Sequence, residues 1–200
     1  LKLLKKHLNR RILNVFTFGI IILVIVNAIN IAYACYVVNP DVTVNINSNG
    51  KVTQQGSIFN EFFYPGKSES GIIRINNKTS KSIEINNLGL SVDLVKFPSG
   101  YNKDFIYSSF LDNMNLNIQR GKIAYIMYSV IAYTPLRNFL YKENDRNYKG
   151  LNLGTKKFTV GKGDFVDLKY TMTMDIKAKE ELEDLKANLE FKINGGNTCN

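Results

Sequence analysis

Residues 166–176 alternate without a break: Val166, Leu168, Tyr170, Met172, Met174 and Ile176 are apolar, and Asp167, Lys169, Thr171, Thr173 and Asp175 between them are polar. A period of two sends successive side chains to opposite faces of an extended strand, so one face of this segment needs a dry partner. Such a strand cannot stand alone. It needs neighbouring strands for its N–H and C=O groups and a second apolar layer over its oily face.

The same pattern recurs along the chain. Ala187, Leu189, Phe191 and Ile193 alternate with Asn188, Glu190 and Lys192; Val42, Val44 and Ile46 alternate after Pro40; Ile73 and Ile75 follow Gly71; Ile83 and Ile85 precede Leu88, Leu90, Val92 and Leu94; and Met114, Leu116 and Ile118 alternate again. The polar run 76–81 reads as a turn between two strands. Residues 123–133 are apolar on both faces, which predicts a strand at the centre of a sheet or covered on both sides. Residues 104–112 suit a helical turn or a strand edge, the charged stretch 137–150 an exposed loop, and the helix formers at 178–186 a short helical crossover. Together these predict an all-β domain of two packed antiparallel sheets, immunoglobulin-like or jelly-roll in arrangement, over 35–194, with a flexible tail at 195–200. At 44% hydrophobic residues the chain can close such a core.

The first 34 residues have a different character. Lys2, Lys5, Lys6, Arg10 and Arg11 precede an apolar stretch, residues 12–26, which gives way to Ala32-Tyr33-Ala34. Basic start, apolar centre and small-x-small exit are the parts of a secretory signal, with cleavage expected between Ala34 and Cys35. The competing expectation is an uncleaved N-terminal hydrophobic helix acting as a membrane anchor, which requires roughly 20 apolar residues. Either fate places the remainder outside the cell, secreted or at the cell surface. The leader also explains the formal charge of +9: its five basic residues precede the first acid, leaving 21 basic against 17 acidic. A nucleic-acid partner is thereby excluded, since no basic stripe interleaved with aromatics remains.

No catalytic, cofactor-binding or metal-ligating set stands out. The lone histidine, His7, lies in the leader, so beyond it no imidazole can activate a nucleophile or hold a metal. Gly161-Lys162-Gly163-Asp164 precedes a strand, whereas a phosphate cradle needs a helix N-terminus after its glycines. Cys35 and Cys199 are too few for a four-cysteine metal site.

Two segments carry a resemblance. Residues 63–79, with Pro65 and Gly66 setting a tight turn before the strand and Asn76-Asn77 after it, and residues 158–193 resemble the corresponding parts of TasA and camelysin-type exported proteins. The resemblance implies an exported sandwich that serves as a structural subunit of biofilm-matrix fibres, with self-association or other cell-surface proteins as its partners. It implies that a freed N-terminal segment adds as a strand to the next subunit; here Tyr36, Val38, Val42, Val44 and Ile46 are the candidate donor positions. Residues 35–40, Cys-Tyr-Val-Val-Asn-Pro, depart from the aromatic-acid start followed by Ala-Gly-x-Leu of that family. Camelysin relatives are described as metallopeptidases, an activity not carried over to a chain without a mature histidine. The alternatives to a non-enzymatic structural role are a secreted or membrane-anchored metallopeptidase-like hydrolase and an extracellular carbohydrate- or peptide-binding module.

Overall fold

A computed structural model describes residues 17, 20–23, 39–58, 62–122 and 127–197. The chain divides into two compact units, Leu1–Val38 and Asn39–Asn200. In the first, the described residues 17 and 20–23 are helical. Among the described residues no helix is long and apolar enough to cross a membrane.

The second unit is an all-β sandwich. Its strands are β1 Val42–Ile46, β2 Val52–Gly56, β3 Ser68–Asn77, β4 Ile83–Lys96, β5 Met114–Lys122, β6 Met127–Pro135, β7 Leu151–Asn152, β8 Phe158–Val160, β9 Phe165–Met174 and β10 Lys186–Asn197. Helices α1, Lys103–Asn113, and α2, Leu136–Phe139, lie before β5 and after β6. One sheet has the order β2-β1-β3-β9-β5-β6; the other pairs β10 with β4, whose far side takes β7 and β8. Every strand pairing is antiparallel except that of β1 with β3, which makes the larger sheet mixed where a purely antiparallel one was expected.

The alternating segment at 166–176 lies in the interior of the larger sheet, between β3 and β5. Leu168, Tyr170, Met172 and Met174 are each no more than 4% exposed. They meet the inward residues of the opposite sheet, Leu90, Val92, Leu189 and Phe191 among them, in one continuous core. The strand stops at Met174 because Asp175 builds a turn: its carbonyl accepts the Ala178 N–H (3.0 Å) and its carboxylate the Lys177 N–H (2.8 Å). Ile176, expected on the apolar face, is therefore exposed.

On the outer face of the same strand, Asp167 is buried by its cross-strand partner. Arg74 grips both carboxylate oxygens at 2.7 Å and stacks over the Phe165 ring, 4.2 Å from its centroid. The pair sits directly opposite in the β3–β9 register. Bidentate geometry of this kind satisfies a charge that would otherwise be costly to remove from water.

Two local expectations are narrowed and two corrected. Residues 104–112 belong to a helix rather than a strand edge: Asn102 caps it by accepting the Asp104 and Phe105 N–H groups, and Ile106, Phe110 and Leu111 are buried. The crossover at 178–186 forms only a single 3-10 turn, Glu180–Leu182. A segment this short does not repay the cost of nucleating a helix, and Leu185 instead bridges Phe63 in extended form. The stretch 137–150 is not all exposed loop, since Phe139 and Leu140 are buried and Arg137 is bound to Asp112 and Ser108 of α1. Finally, β10 runs on to Asn197 along Ile83 and Ile85, into the expected flexible tail.

Tyr170 offers a readout of core integrity. Burial pushes its hydroxyl up to about 12, with the carboxylates of Asp41 and Glu69 adding to the effect. A tyrosine whose folded value lies above the unfolded value of about 10 stabilises the fold fully below pH 10, and that contribution is lost as pH rises towards 12. Alkaline urea titrations are expected to show a loss on the order of 2 kcal/mol over this window that is absent in Tyr170→Phe. Equal alkaline sensitivity in both proteins would contradict this burial.

Candidate interface at the sheet borders

Val42, Val44 and Ile46 form the inward face of β1 and are buried. β1 is hydrogen-bonded on both sides, antiparallel to β2 and parallel to β3. The expected donor strand is thus an interior strand of its own sheet; its apolar side chains belong to the core and its backbone groups are taken. Ala32, Ala34, Cys35, Tyr36 and Val38, along with Cys199, lie outside the described residues. Pro65 and Gly66 form the turn that leads into β3: the Lys67 N–H donates to the Tyr64 carbonyl at 3.0 Å, and Gly66 takes a φ of +84° that a side chain would strain.

The borders of the two sheets differ in how they are closed. β7 and β8 are two and three residues long. β10 is long, but the Gln54 side chain reaches across from β2 and treats its border as a strand would. Gln54 Nε2 donates to the Leu189 carbonyl at 3.0 Å, and its Oε1 accepts the Phe191 N–H at 2.7 Å. One amide therefore occupies two backbone groups of β10 and ties the short β2 to the opposite sheet. Short strands and covered edges are the usual protections against unwanted pairing.

β6 lacks these protections. It is nine residues long, carries no charged side chain, and closes the larger sheet with β5 as its single strand neighbour among the described residues. The apolar character of 123–133 predicted a strand that is central or covered on both sides; β6 is not central but at the border of its sheet, and residues 123–126 lie outside the described set. A bulge explains part of the misleading pattern. Ile118 faces Ala132 while Gln119 faces Val130, so Ile131 is an extra residue and both Ile131 and Ala132 are buried. The outward residues that remain are large: Tyr128 is 37%, Val130 41% and Tyr133 69% exposed.

Three carboxylates near the sheets are engaged separately. Asp167 is held by Arg74; Asp112 is held by Arg137, whose hydrogen bonds keep its carboxyl below the usual range; and Asp164 accepts the Phe165 N–H. Among the described residues, no group of three or more His, Cys, Asp or Glu is placed to hold a metal ion. No protein-family model matches the chain, and no curated protein is significantly similar to it.

Gln54→Ala is expected to cost about 1–2 kcal/mol, because it leaves the Phe191 N–H and Leu189 carbonyl without their partner. It should also speed hydrogen exchange at Phe191. Unchanged exchange there would show that the Gln54 bridge does not close the border.

Proposed function

We propose that this chain is an exported structural or adhesive protein of the cell surface or matrix, which assembles by pairing the β6 border of one subunit with that of another. The observation that carries the reading is the character of β6: a nine-residue border strand without charge and with large apolar outward side chains. A border strand of this length offers backbone groups to a second strand and places no charge against it on either side of the bulge at Ile131, which favours strand addition. Export is supported by the order of the leader, in which basic residues, an apolar stretch and Ala32-Tyr33-Ala34 follow one another. The resemblance of residues 63–79 and 158–193 to TasA and camelysin-type proteins agrees with a matrix role. Assembly through β6 replaces the N-terminal donor mechanism, because β1 would have to be stripped from its own sheet to act as a donor.

The test uses the full chain kept in mild detergent on account of its apolar leader. The wild-type protein is expected to form oligomers as its concentration rises, seen by sedimentation velocity and electron microscopy. Val130→Lys puts a charge beside the border and is expected to raise the concentration needed for assembly at least tenfold without changing the thermal midpoint by more than a few degrees. A wild-type chain that stays monomeric, or a lysine variant that assembles equally well, would refute the proposal.

A further inference from the structure

The strand ends divide the charges of the sandwich unevenly. β1, β3 and β5 finish at the end where β2 and β9 begin, and the turn after β3 leads to the start of β4, beside the end of β8. In the order β2-β1-β3-β9, Lys51 precedes β2, Lys78 follows β3 and Lys162 lies in the turn before β9. Lys81 and Lys156 stand at the same end of the smaller sheet, before β4 and β8. All five are exposed, and among the described residues none has an ion-pair partner. The acids at this end are occupied: Asp167 by Arg74, Glu84 by Lys157 at 3.1 Å, and Asp164 by the Phe165 N–H. The opposite end instead exposes Glu180, Glu183 and Asp184.

These lysines ride on turns that are fastened to one another. Asn77 is 1% exposed, and its Nδ2 donates to the carbonyls of Lys81 (2.8 Å) and Gly161 (3.0 Å) while its Oδ1 accepts the Thr79 N–H (2.9 Å). The Asn77 N–H donates to the Asp164 carbonyl and the Lys78 N–H to the Ile46 carbonyl, both at 2.9 Å. One buried amide and its neighbours thus hold the β3–β4 turn against the β8–β9 turn and the end of β1. Cations fixed near one another repel, and together they raise the local concentration of anions.

We infer that this end of the sandwich binds a linear phosphate polymer. Neighbouring strands are about 4.8 Å apart, so Lys51, Lys78 and Lys162 are spread over roughly 14 Å along the sheet end. A stripe of that length suits a chain with a charge at every repeat better than a single small anion. Lysine meets phosphate as a point charge, whereas paired recognition of carboxylate favours the guanidinium fork. The arginines at this end are turned elsewhere, Arg74 to Asp167 and Arg120 over the Phe158 ring at 5.2 Å. Single-stranded nucleic acid asks for rings on which bases stack; here Phe158 is buried and Phe165 lies beneath Arg74. The surface therefore reads backbone charge alone, and the inference does not depend on assembly through β6.

Fluorescence anisotropy of end-labelled long-chain polyphosphate, titrated with the full chain in nonionic detergent, tests the inference. Affinity is expected to fall at least tenfold between about 50 and 200 mM salt, as counterion release by three or more cations requires. The double variant Lys78→Glu/Lys162→Glu should weaken binding at least tenfold. Lys179→Glu at the opposite end, and Lys5→Glu/Lys6→Glu in the basic leader, should each change it less than twofold. Circular dichroism establishes that each variant is folded, and Lys51→Gln, with a loss of about threefold, is read if the double variant is not. Polyglutamate and single-stranded DNA serve as competitors and should displace the probe less well than unlabelled polyphosphate. No binding of polyphosphate, equal binding by all folded variants, loss of binding on reversal of the leader charges, or displacement as good by either competitor overturns the inference.

Discussion

A strand at the rim of a sheet carries a row of backbone N–H and C=O groups that something must satisfy, and this requirement organises the molecule from its core to its surface. Inside the larger sheet the requirement is met by neighbours: β9 is bonded to β3 and β5 along nearly its whole length, which lets its four inward side chains face the opposite layer. At the rims it is met unevenly. β7 and β8 are brief, β2 is joined to β10 through Gln54, and β6 has β5 as its one strand neighbour among the described residues. The proposed assembly rests on this asymmetry between the borders.

The parts of the fold that depend on local periodicity were legible from the sequence. Alternation at 166–174, 187–193 and 42–46 marked real strands, because burial of one face against a second layer imposes that period regardless of which strands are neighbours. Sheet order is a different kind of information. Nothing in Val42-Thr43-Val44 distinguishes a parallel partner from an antiparallel one, so the β1–β3 pairing was hidden. The bulge at Ile131 shows how one extra residue defeats the pattern: it shifts the inward set from one parity to the other, and a border strand acquires the apolar appearance of a central one. Ile176 misled in the opposite sense, since the chain leaves the strand in a turn built on Asp175, whose carbonyl and carboxylate accept the Ala178 and Lys177 N–H groups.

The candidate surface was less legible than the fold. Gln54 gave no sign of its role, because a glutamine in a short polar strand has no pattern of its own and its partners lie 135 and 137 residues further along. The expectation of an export leader, by contrast, rests on sequence order alone. Its ordering of charge, apolar centre and small residues is a linear signal that needs no tertiary context.

Subunits that join through β6, as proposed, change the partners of particular backbone groups. Amide hydrogen exchange, followed by mass spectrometry on the full chain in dilute and in assembled form, tests the central assignment most directly. The account requires that residues 127–135 gain protection on assembly while residues 42–46 are protected in both states. Protection gained instead by residues 42–46, or by no strand at all, would contradict it.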